Sequence, residues 1–269
     1  MKFVVTAAVL ALVGFGVKAA QCQSSSSDQM RANPAGILDV QAIDSNASAE
    51  QLEQHADELR AAKEYFDAGD YYRAALAKNP KSAVLYNKLG INELLSLRLR
   101  QARSDFSRAL KLNPQYAAAY NNLGVLDYSQ RRFGKAIKEY KKAIKLQQDD
   151  AGYFSNLGTA YFSKKNWKEA TEAYTQAVAL DPNVFQTSSR TGIAGQIASP
   201  GDRAHFSYVL AELYATKGMN DRSLECLRRA LEEGYKRVND AYSDAAFSGL
   251  RKDPRFAELM SKRPVVLPE

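Results

Sequence analysis

The chain has 269 residues and a formal net charge of +7, with 45% hydrophobic and 25% charged residues. This composition and a mean hydropathy of −0.42 are typical of a globular protein, and they argue against a polytopic membrane protein or a largely disordered chain. Two cysteines exclude a disulfide-rich scaffold, and two histidines leave little material for a histidine-based metal site.

The N-terminal segment predicts export. Residues 3–17 form an apolar stretch behind Lys2, and this stretch is shorter than the roughly 20 apolar residues of a membrane span. We therefore interpret residues 1–19 as a secretory signal peptide. Two alternatives stay open: retention of the segment as an N-terminal anchor, and a lipoprotein modified at Cys22. The lipoprotein is disfavoured because Gln21 stands where a lipobox has a small residue.

Residues 20–48 are polar and show no sustained periodicity, which is typical of a flexible tether. Cys22 lies in this tether, whereas Cys226 lies in a predicted helix. Spacing alone does not decide whether two such cysteines pair. We expect two free thiols.

From residue 49 onward the sequence repeats with a period of 34 residues. The best-matched copies share Tyr86, Tyr120 and Phe154; Leu89, Leu123 and Leu157; Gly90, Gly124 and Gly158; Ala102, Ala136 and Ala170; Phe106, Tyr140 and Tyr174; and Ala109, Ala143 and Ala177. Within each copy these residues are three or four apart in two groups, which predicts two helices with one packed face each. The glycine and the first alanine predict a close approach of the two helices.

This pattern resembles the tetratricopeptide repeat, and the resemblance implies an all-α fold. The expected architecture is a right-handed α-solenoid of stacked antiparallel helix pairs. The predicted divisions are repeats 1–4 at 49–184, an inserted loop at 185–203, repeat 5 at 204–237, and capping helices with a tail at 238–269, similar to bacterial members. Within the loop, Ser199 and Pro200 are typical of a helix start.

The sequence contains no motif of a known enzyme class. There is no P-loop, dinucleotide fingerprint, nucleophile elbow or His-Glu-x-x-His motif, and His55 and His205 lie far apart. We therefore predict a protein without catalytic activity, cofactor or metal. Glu93 and Asp127 replace an aromatic residue of the pattern. Because a lone buried charge is costly, we expect each carboxylate to pair with an arginine or lysine from an adjacent helix.

The resemblance further implies that the first helices of the pairs line a concave groove that binds a protein or peptide segment. The groove positions hold Asn87, Lys88, Ile91, Asn121, Asn122, Val125, Tyr128, Ser155, Asn156, Thr159 and Phe162. Asn122 and Asn156 stand at a position where asparagines of this family hydrogen-bond the peptide backbone of a ligand, since a carboxamide both donates and accepts hydrogen bonds. We expect both to face solvent. The alternative is that asparagine simply suits an exposed helix near its cap.

These inferences predict an exported, monomeric adaptor of the periplasm or cell envelope that binds a protein partner and no nucleic acid. An alternative function uses the basic run at residues 131–145 on the convex side. In that case the protein would be a structural factor that binds anionic lipid or glycan at the membrane periphery. A solvated helix face also explains this run.

Overall fold

The computed structural model describes residues 43–187 and 200–261, and all regular structure in these ranges is helical. The described residues from Ser45 onward belong to one compact unit. Helices of 13 or 14 residues first follow one another as four pairs. The pairs are α1 Ala49–Ala61 with α2 Tyr65–Lys78, α3 Ala83–Leu95 with α4 Leu99–Leu112, α5 Ala117–Ser129 with α6 Phe133–Leu146, and α7 Ala151–Ser163 with α8 Trp167–Leu180.

The elements after the fourth pair are less regular. They are the single turn α9 Val184–Thr187, the pair α10 Pro200–Thr216 and α11 Asn220–Glu232, three 3-10 turns (Val238–Tyr242, Ala245–Phe247 and Leu250–Lys252), and α12 Pro254–Ser261. Both described ends of the stretch predicted as an inserted loop, 185–203, are helical, and the helix start at Pro200 agrees with the one predicted there. One helical turn occupies its start, and α10 begins at Pro200 because proline has a preset φ and lacks the N–H that goes unsatisfied at a helix start.

Several sequence predictions concern residues outside 43–187 and 200–261. The signal peptide, Cys22, most of the tether, Ser199 and the last residues of the tail lie outside the described residues. Within the two described ranges, no helix combines the length and the apolar character needed to cross a bilayer.

In three helix pairs, α3–α4, α5–α6 and α7–α8, a glycine of the first helix packs against an aromatic ring of the second helix. A Cβ atom added at Gly90, Gly124 or Gly158 would lie less than 3.0 Å from the ring that follows sixteen residues later. Those rings belong to Phe106, Tyr140 and Tyr174, which are completely buried. The sequence predicted a close helix approach, and the structure shows that the glycine itself contacts the aromatic ring.

The turn inside each pair has the same backbone conformation. One residue there takes a positive φ, between 58° and 69°, which ends the first helix with a left-handed residue. These residues are Lys63, Leu97, Arg131, Lys165 and Gly218. Only the fifth is a glycine, so the other four copies adopt this turn despite the cost of a left-handed side-chain residue.

The pairs stack so that the first helices form the inner side. Helix α3 contacts α5 and α5 contacts α7, more closely than the second helices α4 and α6 contact each other. A stack that is tighter on one side curves toward that side. The stacking of consecutive helix pairs confirms the predicted all-α solenoid.

The C-terminal residues pack onto the last pair. Phe247, Leu250, Phe256 and Met260 are buried in the same hydrophobic cluster as residues of α10 and α11, and Leu259 packs against it. These residues therefore bury apolar surface of the last described helix pair. Cys226 lies in this cluster as a free thiol.

Candidate functional site

The structure divides the eleven predicted groove residues into a buried group and a partly exposed group. Six of the eleven are at most 8% exposed, so their placement in an open groove was wrong: Asn87, Tyr128, Ser155, Asn156, Thr159 and Phe162. The reason is that neighbouring helices cover these positions, as where the Tyr174 hydroxyl of α8 donates to Thr159 Oγ1 at 3.3 Å. Tyr128 packs on α7 with its hydroxyl 2.8 Å from Ser163 Oγ, and the Phe162 ring lies against Trp167, His205 and Phe206.

The asparagines of the inner side form a hydrogen-bonded row, which we call the polar ladder. Asn156 Nδ2 donates to Asn121 Oδ1 at 2.9 Å, and Asn122 Nδ2 donates to Asn87 Oδ1 at 2.9 Å. Asn121 Nδ2 joins the two bonds by donating to Asn122 Oδ1 at 3.4 Å. Asn87 Nδ2 donates in turn to the Tyr116 hydroxyl at 3.5 Å. The ladder therefore connects three consecutive first helices.

Solvent access differs along the ladder. Asn87 and Asn156 are only 5% and 8% exposed, whereas Asn121 and Asn122 are half-buried. The expectation that Asn156 faces solvent was therefore wrong, because its carboxamide turns toward the preceding helix. Ile91 and Val125 are half-buried beside the ladder and keep an apolar surface there.

Lys88 of α3 forms a further contact between neighbouring first helices, because it pairs with two carboxylates of α1. Its Nζ lies 2.5 Å from Glu53 Oε1 and 2.5 Å from Asp57 Oδ2, and Asp57 Oδ1 also accepts from the Tyr72 hydroxyl at 2.5 Å. Burial by itself would raise the pKa of Asp57, but hydrogen bonds from Lys88 and Tyr72 outweigh burial and lower that pKa. Hydrogen bonds to Asp57 and Glu53 likewise raise the pKa of Lys88 against the effect of its burial. The ammonium group of Lys88 is thus already paired with two carboxylates of the protein.

Sequence reasoning missed the ladder, although the signal is visible in the sequence. Glu53 and Lys88, Asn87 and Asn122, and Asn121 and Asn156 are each 35 residues apart, which is one repeat plus one residue. This offset brings the sixth residue of one copy beside the fifth residue of the preceding copy. A comparison at the repeat period alone aligns equivalent positions and does not reveal partners between copies.

The two acidic departures from the repeat pattern are buried ion pairs, as predicted. Glu93 is 2% exposed and accepts from Arg73 Nη1 at 3.1 Å and from Arg98 Nε. Asp127 is also 2% exposed, and its Oδ1 lies 2.6 Å from Arg103 Nη2. Because Arg73 and Arg103 belong to the second helix of the preceding pair, these carboxylates link neighbouring copies and do not line an open groove.

A pair of carboxyl groups lies where α10 meets the C-terminal residues. Glu212 and Asp244 share a hydrogen bond, which requires a proton on one of them. Burial, then this hydrogen bond and the charge of Asp244, raise the pKa of Glu212 to about 8 against a weaker opposing effect of Arg237. Glu212 is therefore mostly protonated at pH 7.

We expect this pair to make stability depend on pH. The pKa of Glu212 is raised on folding, so its contribution is complete below its ordinary pKa of 4.5 and is lost as the pH rises through about 8. In Glu212→Gln the amide replaces the protonated carboxyl, so the urea midpoint should fall less between about pH 5 and pH 9 than in the parent. Glu232→Gln, at an exposed position of α11, is the control. Equal slopes for the parent and Glu212→Gln would contradict the assignment.

No arrangement in the described residues suggests catalysis. These residues contain no group of three or more His, Cys, Asp or Glu side chains that could hold a metal ion. His205 lies among the rings of Phe162, Trp167 and Tyr235, and burial lowers its pKa. Burial also raises the pKa of Cys226 to about 11, which disfavours the thiolate that a nucleophile needs.

Several solved structures match this chain at low sequence identity. MamA is 21% identical over 68% of this chain and 96% of its own, with a TM-score of 0.47. TTC0263, described as a thermophilic TPR protein of Thermus thermophilus, is 21% identical over 80% of this chain and 100% of its own, with a TM-score of 0.49. YrrB, described as a TPR protein with an unusual peptide-binding site, is 18% identical over 73% of this chain and 93% of its own, with a TM-score of 0.46. No curated protein matches the sequence.

Family models match the sequence in three places. A TPR repeat model matches residues 126–164, and two tetratricopeptide repeat models match residues 151–184 and 204–233. Each matched range contains helices that the structure shows as members of stacked pairs. Residues 126–184 and 204–233 of this chain are therefore tetratricopeptide repeats.

Proposed function

We propose that this protein is an exported adaptor that binds an extended protein segment along its inner face. Tetratricopeptide-repeat domains bind protein or peptide partners, and repeat proteins of this kind are typically non-catalytic scaffolds. The observation that carries the proposal is the polar ladder, which runs across three first helices with half-buried Ile91 and Val125 beside it. We propose that the protein acts as a monomer.

The ladder has hydrogen-bonding capacity left for a ligand. A carboxamide has two N–H donors and an oxygen with two lone pairs. In Asn122, the bonds to Asn87 and Asn121 use one N–H and one lone pair. A ligand's backbone needs both a donor and an acceptor at regular intervals, and Asn121 and Asn122 are the half-buried members that can supply them. The ladder fixes their orientation before the ligand binds.

The test uses peptides selected from a displayed library against the parent protein, with affinities measured by fluorescence anisotropy. Each polar contact that is lost costs about 0.5–1.5 kcal/mol, so Asn121→Ala with Asn122→Ala should weaken binding by roughly ten- to a hundredfold. Because both side chains also bond within the ladder, the double variant should lose some stability. Binding is therefore compared at a temperature where circular dichroism shows both proteins to be folded.

Two controls separate binding from folding and from charge. Tyr174→Phe removes a completely buried hydroxyl that donates to Thr159 Oγ1 at 3.3 Å, so it costs stability without changing the inner face. Lys138→Glu with Lys142→Glu reverses the charge of two exposed side chains of α6. Both controls should keep the affinity for the selected peptides. Insensitive asparagines together with binding lost on charge reversal would contradict the proposal.

Export is part of the proposal and has its own test. Support comes from the sequence of residues 1–19 alone. The protein isolated from the cell envelope should begin near Ala20 and be about 2 kDa lighter than the full chain, as N-terminal sequencing and intact mass would show. A chain that begins at Met1 would contradict cleavage, and a lipid-modified Cys22 would favour a lipoprotein.

A further inference from the structure

The excess positive charge of the protein is concentrated in one part of the solenoid. Residues 99–146 contain eleven Lys and Arg but only three Asp and Glu, a net charge of +8. The whole chain has a net charge of +7, so the remaining residues together are close to neutral. This part of the chain extends from helix α4 through helix α6.

Most of these cations lie on the second helices of two consecutive pairs, which are away from the inner side. We call this surface the basic face, and it consists of Arg100, Arg108 and Lys111 on α4 and Lys135, Lys138, Lys141, Lys142 and Lys145 on α6. All eight side chains are exposed. Lys135, Lys138, Lys142 and Lys145 are spaced three, four and three apart, so they form one stripe along α6.

The acidic residues of this part of the chain do not neutralise the basic face. Asp127 is buried and paired with Arg103, and Glu139 pairs with Lys142 at 3.1 Å. Burial, and then the charge of Glu93, raise the pKa of Asp105 to about 7 against Arg73, so this carboxyl is only partly charged near neutral pH. The other seven cations of the basic face form no ion pair with any described residue.

The chemistry of the basic face fits a diffuse array of negative charges. Six of its eight cations are lysines, which act as point charges and lack the planar fork with which arginine binds a single phosphate or carboxylate. The neighbouring aromatic rings do not form a platform for nucleic acid bases. Arg108, Lys142 and Lys141 lie over the rings of Tyr86, Tyr120 and Tyr161.

We propose that the basic face docks on the surface of an anionic lipid bilayer. A bilayer surface supplies closely spaced negative headgroups to an exposed stripe without a pocket, and each nearby Lys or Arg strengthens such partitioning about fivefold. The apolar stretch at residues 3–17 also favours a bilayer over other polyanions, because it would bring the chain to a membrane during export. Since the polar ladder lies on the first helices, docking leaves the inner face available.

The experiment measures co-sedimentation of the full chain with vesicles. One set contains phosphatidylcholine with phosphatidylglycerol in a ratio of about 7 to 3, and the other contains phosphatidylcholine alone. We expect binding to the anionic set only, and a steep loss of that binding between low and high salt. The triple variant Lys135→Glu, Lys138→Glu and Lys145→Glu should reduce partitioning at least about a hundredfold.

The matched control places the same charge change elsewhere. Lys81→Glu, Lys168→Glu and Lys217→Glu reverse three exposed lysines outside the basic face. This control should keep most of the binding, and circular dichroism should show both triple variants folded. Equal losses in the two variants would overturn the proposal, because net charge would then explain the binding. Equal binding to both vesicle sets, or basic-face-dependent binding to duplex DNA with none to anionic vesicles, would also overturn it.

Discussion

Replacing Gly124 with leucine should destabilise the protein by about 3 kcal/mol or more. Even a Cβ atom at this position would lie less than 3.0 Å from the ring of Tyr140, which is completely buried and has no room to move aside. The larger side chain must therefore separate α5 from α6. Thermal unfolding followed by circular dichroism should show a clear decrease in the midpoint temperature.

The effect should spread to neighbouring repeats. Each pair of a solenoid is stabilised by its contacts with the pairs on either side, so amide exchange should also accelerate in α3, α4, α7 and α8. The control is Gly134→Ala in α6, where a Cβ atom would have no heavy atom within 4 Å. Because alanine is the better helix former, this control should stabilise slightly. An unchanged unfolding curve for Gly124→Leu would mean that this glycine is not at the helix contact.

The second large effect is expected at the buried Asp127. Arg103→Met removes the guanidinium 2.6 Å from the carboxylate and leaves only Arg132, at 3.9 Å and half exposed. Removing one partner of a buried ion pair leaves a charge without adequate compensation, and this costs about 3 kcal/mol. Chemical unfolding of the parent and the variant measures the difference directly.

A second substitution tests the cause. Replacing both partners with apolar residues, as in Arg103→Met with Asp127→Leu, removes the buried charge, so most of the lost stability should return. Arg100→Met is the control, because Arg100 is an exposed residue of the same helix. This control should change stability by no more than about 0.5 kcal/mol. A double variant less stable than Arg103→Met would show that packing, and not charge, dominates at this site.

The candidate site was only partly predictable. The sequence identified the first helices as the inner elements and named the asparagines of the polar ladder. It did not predict that Tyr128, Thr159 and Phe162 are buried. Helical periodicity shows which positions share a face, whereas burial depends on how much of that face the neighbouring helices cover. The pairing of Lys88 with Glu53 and Asp57 was missed for the same reason, since it joins different copies.

The sequence by itself determined the repeat unit, because glycine, alanine and a large aromatic residue at fixed spacing allow one close helix contact, and the contact recurs in three copies. It also determined that Glu93 and Asp127 must be paired, since a lone charge is too costly inside a protein. Only the tertiary structure decided which inner-face side chains bond to one another and which remain accessible. Those contacts depend on the offset between neighbouring pairs, which is set by packing across the whole stack rather than by the residues of any single repeat.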